Sequence, residues 1–264
     1  MSPRARVWIA VVVVSVAAAA VAVGVTLATR TSVSRHRVQA PPFLADSTAS
    51  AAVQADVQEA LRAWPSGTIR RLRILAAEHP RVALVQLELG LALAAGGDAA
   101  AARGVLRQAV RVQPDSPSAV RAQDALHPDE PPGNPPFVPS FARARTRVER
   151  LVARGIAYQA ALRPVSAERA FAAAASAAPN DPQAQTAAAV GLFDKDRPAL
   201  AFSRLGPLVR RFPHAQTVRF HLGLLLIFIR QLPAARRELA LAVAEGPKTG
   251  LARRARLLLK AAKR

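Results

Sequence analysis

Small and large apolar residues alternate at helical spacing through most of this chain, and the alternation keeps time with proline. Pro80 and Pro114 are 34 residues apart, and so are Pro179, Pro213 and Pro247 in turn. Counting back from Pro114, Ala109 stands five residues before it, Leu106 eight, Ala102 twelve and Gly90 twenty-four. Pro179 has Ala174, Phe171, Ala167 and Gly155 at the same offsets. Pro213 has Leu208, Leu205, Ala201 and Ala189, and Pro247 has Ala242, Leu239, Ala235 and Gly223. A small residue lets two helix backbones approach, and a large one fills the space beside it. Proline then blocks further helix and turns the chain. A fixed period of this length predicts stacked all-α repeats, an arrangement that buries a continuous core once three or more are present.

Local chemistry agrees with these boundaries. Asp98, Ser166 and Asp196 stand where a second helix of each repeat is expected to begin, and each has a side chain suited to an N-cap. Pro182 and Pro198 fall near first-turn positions, where a missing N–H costs nothing. Gly96-Gly97 supplies a turn between helices.

The pattern resembles the tetratricopeptide repeat family, which folds as one pair of antiparallel helices per 34 residues. The family's large-Gly pair, with an aromatic or Leu three residues later, is matched by Leu89-Gly90 with Leu93 and by Leu222-Gly223 with Leu226. Gly155 is followed by Tyr158, although Arg154 takes the large-residue slot, and Ala189 replaces the glycine before Leu192. The resemblance covers residues 83–116 and 148–249, the latter as 148–181, 182–215 and 216–249. Residues 49–82 match only through Leu72, Leu75 and Pro80, with Asp56 in the glycine slot, and read as a divergent or capping repeat. The fold implied is a tetratricopeptide-type α-solenoid. In that family the first helices line a concave groove. The candidate groove residues are therefore Leu87, Leu91, Val152, Ile156, Val190, Phe193, Phe220 and Leu224, an apolar set suited to an amphipathic helix or apolar peptide. The competing reading makes some of them core, or covers them with the chain's own residues 117–147. The Lys/Asn constellation with which some relatives clamp a C-terminal carboxylate is missing.

Val7 to Ala28 is uncharged and almost wholly apolar. As a helix it would span roughly 33 Å, enough for the hydrocarbon core of a bilayer. Arg4 and Arg6 precede it and Trp8 falls at the expected interface. Residues 1–30 therefore read as an uncleaved signal anchor, followed by a spacer over 31–48 with Pro41-Pro42. A cleaved signal peptide, leaving an exported soluble chain, is the alternative. It fits less well because the apolar run exceeds the usual 7–15 residues and Leu27-Ala28-Thr29-Arg30 offers no clean cleavage site. The flanking arginines Arg30, Arg35 and Arg37 offset those before the span, so the charge rule does not orient it. The expectation is a single-pass membrane protein with its repeats outside the cytoplasm, a cytoplasmic-facing domain being the alternative.

Residues 117–147 interrupt the period. Ser118 to Leu126 can form a helix, and then Pro128, Pro131, Pro132, Pro135, Pro136 and Pro139 exclude one. This stretch reads as an extended linker between two repeat blocks, with a proline-rich docking motif as the sharper alternative.

Composition narrows the function. With no cysteine among 264 residues, disulfides, thiolate metal sites and lipid acylation of a cysteine are excluded. His36, His79, His127, His214 and His221 are scattered, with no pair at metal-ligand spacing. No phosphate loop or nucleophile motif appears, so neither enzymatic activity, a cofactor nor a small-molecule substrate is expected. The net charge of +20 is spread over every repeat and is mostly arginine, and with no recognised motif nucleic acid is not the expected partner. It is concentrated only over 250–264. There Arg253, Arg254, Arg256, Lys260, Lys263 and Arg264 surround Leu251, Leu257, Leu258 and Leu259, as in a capping helix or a helix touching anionic lipid. The expected function is a membrane-tethered protein–protein interaction scaffold, with envelope assembly as the setting suggested by similar anchored bacterial repeat proteins. Its partner is a protein or peptide.

Overall fold

The computed structural model describes residues 40–261. The expected span at 7–28, and Lys263 and Arg264 at the far end, lie outside the described residues. Among the described residues the chain forms twelve α-helices and no strand, and no helix is long and apolar enough to cross a membrane.

The helices run α1 Ala51–Arg62, α2 Thr68–Glu78, α3 Ala83–Ala95, α4 Ala99–Val112, α5 Pro117–Leu126 and α6 Arg147–Ala160. They continue as α7 Pro164–Ala177, α8 Pro182–Gly191, α9 Ala199–Arg211, α10 Gln216–Phe228, α11 Leu232–Glu245 and α12 Gly250–Ala261. Two compact units divide the chain inside α5. Of the described residues, one holds 40–113 with 121–133, the other 114–120 with 134–261.

In the first unit α1 packs on α2 and α3 on α4. In the second α6 pairs with α7, α8 with α9, and α10 with α11, and α12 closes the end against α11. The pairs meet where the offsets predict. A Cβ on Gly90 would stand 2.7 Å from Leu106, one on Gly223 2.7 Å from Leu239, and one on Gly155 would collide with the Phe171 ring. The small residues twelve before each proline, Ala102, Ala167, Ala201 and Ala235, are all buried.

The turns between paired helices repeat one geometry. After α3, Gly97 is left-handed, its N–H donating to Ala94 O and that of Asp98 to Leu93 O. This is the Schellman arrangement. After α6 the left-handed residue is Leu162, whose N–H donates to Gln159 O while that of Arg163 donates to Tyr158 O. After α10 it is Arg230, whose N–H donates to Ile227 O while that of Gln231 donates to Leu226 O. All three stand seventeen residues before the proline closing their repeat.

Helix starts follow expectation in part. Asp98 caps α4, accepting from Ala101 N–H at 3.0 Å. Asp181, directly before Pro182, caps α8. Ser166 and Asp196 are not caps. The helix α7 begins two residues before Ser166, at Pro164, and its first turn is served by Asp115. That carboxylate accepts from Ser166 N–H at 2.9 Å and Oγ at 2.6 Å, and from Arg163 Nη2 at 2.8 Å. Burial works to raise the Asp115 carboxyl, but the bonds from Ser166 and the Arg163 guanidinium outweigh it and hold it below its ordinary value. Asp196 precedes the α9 start by three residues, and its N–H donates to Asp194 Oδ1.

Candidate functional site

The first helices of the three repeats in the second unit, α6, α8 and α10, each present one polar side chain to the same stretch of chain. That stretch is Pro135–Phe141, from the proline-rich interruption. Gln159 of α6 accepts from Phe137 N–H at 2.9 Å and donates to Pro135 O at 3.2 Å. Gln183 of α8 accepts from Ser140 N–H and Oγ, both at 2.6 Å. His221 of α10 accepts from Val138 N–H at 2.9 Å through Nε2. Prolines hold the segment extended and remove competing donors, so its remaining N–H groups are the ones read.

Side chains complete the contact. The Phe137 ring stacks on the His221 imidazole, centroids 4.5 Å apart and planes 10° from parallel, and tilts against Phe171 at 5.7 Å. Pro135, Phe137 and Val138 are buried, while Pro136 between them is exposed. Within this stretch, read from the sequence as an extended linker, Phe137 and Val138 belong to the core of the second unit.

His221 is fully buried, and its hydrogen bonds set its state. Nδ1 donates to Thr217 O at 2.7 Å, which leaves Nε2 as the acceptor for Val138 N–H. Burial drives its pKa down to about 4, with the Arg254 charge adding to the shift and the bond to Thr217 opposing it. The ring is therefore neutral, as an acceptor role requires.

The first unit carries a counterpart. Pro41-Pro42-Phe43-Leu44 repeats the pattern of Pro135-Pro136-Phe137-Val138. Leu44 N–H donates to Glu88 Oε1 at 3.1 Å, and Arg121 Nη1 donates to Ala45 O at 2.7 Å. Phe43 packs against the cluster of Val53, Val57, Val85 and Leu89, and Leu44 against Ala83, Leu87 and Leu106. The segment 40–46 is thus seated on the first unit rather than serving as open spacer. Glu88 is fully buried and its Oε2 has no hydrogen-bond partner. Burial lifts its carboxyl to about 7, against the opposing pull of the Leu44 N–H and the Arg121 charge.

Glu88 and His221 occupy the same place in their repeats, each twenty-six residues before the closing proline. The sequence reading passed over both. The signal that finds them is the recurrence of Pro-Pro-Phe followed by a branched aliphatic, together with a polar residue twenty-six positions before the closing proline.

Of the predicted groove residues, Leu87, Val152, Val190, Phe193, Phe220 and Leu224 are buried, and Leu91 and Ile156 are half-buried. Those of the second unit lie in or against the same cluster as Phe137 and Val138. Apolar surface that the repeat pattern would leave open in that unit is covered by the chain itself. On α12, Leu251, Ala252 and Ala255 face inward, while Arg253, Arg254, Arg256 and Lys260 are exposed.

No family model matches the chain, and no curated protein matches it. A solved structure of a double mutant named MamA RS-1 ArsTM overlaps 74% of this chain and 92% of its own, at 16% identity and a TM-score of 0.29. At that level of similarity the fold description rests on the helix pairing of this chain alone.

Proposed function

We propose that the chain is a membrane-tethered interaction scaffold of the tetratricopeptide type, without catalytic chemistry, that holds an extended peptide against the first helices of its repeats. The repeat type is supported by the 34-residue proline period and by glycines that each meet the large residue sixteen positions later. The observation that carries the function is the segment Pro135–Phe141, already held by Gln159, Gln183 and His221 from three successive first helices. Backbone bonds supply affinity and side-chain pockets supply specificity in such recognition. A photocrosslinking residue in place of Gln183, in the full chain in membranes, is expected to label one or a few defined proteins. Labelling confined to the chain itself, under every condition tried, contradicts the scaffold.

The tether rests on the apolar run Val7–Ala28. Full-length chain is expected in the membrane pellet after a carbonate wash. A released species beginning near residues 24–32 would replace the anchor with a cleaved signal. A second surface is favoured by Leu257, 69% exposed among Arg253, Arg256 and Lys260. Its contact with anionic lipid would appear as co-sedimentation with phosphatidylserine vesicles that Arg253→Glu and Arg256→Glu together abolish.

A further inference from the structure

Two segments of this chain share one sequence pattern and one binding geometry. Pro41-Pro42-Phe43-Leu44 sits on the first unit and Pro135-Pro136-Phe137-Val138 on the second. In both, the N–H of the aliphatic fourth residue donates to a fully buried polar side chain, Glu88 Oε1 at 3.1 Å or His221 Nε2 at 2.9 Å. Those two acceptors are at the same repeat position although their chemistry differs. In both, the second proline is exposed and the phenylalanine turns into an apolar cluster. A core needs apolar side chains of the right size; it does not need the same four-residue pattern twice, with the same amide read by the same helix position.

We propose that each unit carries a peptide site selective for an extended Pro-Pro-Phe-aliphatic segment, presently filled by the chain's own copy, and that a partner protein bearing such a segment enters by displacing it. The site recognises a phenylalanine, prolines that keep the backbone extended, and a single amide on the residue after the phenylalanine. Its aromatic subsite takes an uncharged side chain, since Phe137 and Phe43 both pack in apolar clusters. The resident segment lowers apparent affinity by the fraction of time it holds the site, so occupancy by the chain sets a threshold for the partner.

This inference names the ligand class for the scaffold reading and rests on it. The probe is a fluorescein-labelled Pro-Pro-Phe-Val-Pro-Ser peptide, titrated by polarisation against the full chain in detergent. Phe137→Ala empties the aromatic subsite of the second unit and is expected to bind the peptide at least about tenfold more tightly than the unaltered chain. A peptide with N-methylvaline, which lacks the amide read by His221, is expected to bind at least about tenfold more weakly. Unlabelled Pro-Pro-Phe-Leu-Ala-Asp is expected to compete. If Phe137→Ala loses its helical signal, Val138→Pro serves instead, removing one donor and little apolar surface. Equal affinity for the altered and unaltered chains, indifference to N-methylation, or no binding by a folded variant overturns the proposal. Self-association of the variant that peptide does not disperse assigns the site to a second copy of the chain and overturns the partner reading. Absence of peptide binding beside a defined protein labelled through position 183 would remove the ligand class and leave the scaffold standing.

Discussion

His221 and Glu88 answer the same structural need with opposite responses to pH. His221 binds fewer protons folded than unfolded between about 6.5 and 4. Its contribution is complete above 6.5 and is lost as pH falls through 4, a swing on the order of 3 kcal/mol. Protonation also places a hydrogen on Nε2, against the Val138 N–H. Glu88 binds more protons folded than unfolded between 4.5 and about 7. Its contribution is complete below 4.5 and is lost as pH rises through 7, again on the order of 3 kcal/mol. Hydrogen exchange followed helix by helix should show α10 loosening on acidification and α3 on alkalinisation. Glu88→Gln keeps an acceptor for Leu44 N–H and removes the buried charge. It is expected to stabilise the first unit at pH 8 by about 1–3 kcal/mol and to flatten its pH profile. A parallel response of both helices would contradict these assignments. A second prediction at this scale concerns Leu162, left-handed with φ of 55° where the first repeat block uses Gly97. A left-handed leucine costs about 1–2 kcal/mol, partly offset by the entropy glycine loses on folding. Leu162→Gly is expected to raise stability by up to about 1 kcal/mol, read as a higher denaturation midpoint.

Among the helices, close approach governs. Ala235 is fully buried, and a Cβ on Gly223 would lie 3.2 Å from its carbonyl oxygen. Ala235→Leu should overpack that contact and cost about 1–3 kcal/mol in thermal melts, whereas an unchanged midpoint would argue against the register. Asp115→Ala leaves the first turn of α7 without its acceptor and is expected to cost about 0.5–2 kcal/mol. The helix pairs were legible because Gly90, Gly155 and Gly223 stand where Leu106, Phe171 and Leu239 leave no room for a Cβ. That constraint is local and recurs with the period. The start of α7 was not legible in the same way. Its acceptor comes from Asp115, fifty-one residues before Ser166, and no window around Pro164 contains it.

For the molecule as a whole, the illegible part was the site. A run rich in proline has the composition of a linker whether or not something holds it. Only the fold brings Gln159, Gln183 and His221 to one segment, and a single histidine in an apolar helix carries no spacing signal of its own. Val190 and Leu224, candidate groove residues from the repeat pattern, are both buried in the cluster that holds Phe137, so a polar substitution at either place would test packing before binding. In the proposed reading each unit is a receptor that carries its own Pro-Pro-Phe ligand, and that reading depends on the segment being seated. Amide hydrogen exchange of Val138 in the full chain at pH 7.5 reads that state. The amide is expected to exchange as slowly as the interior of α10 and to lose this protection in His221→Ala. Exchange of Val138 at the rate of an unstructured peptide, with α10 still protected, would contradict it.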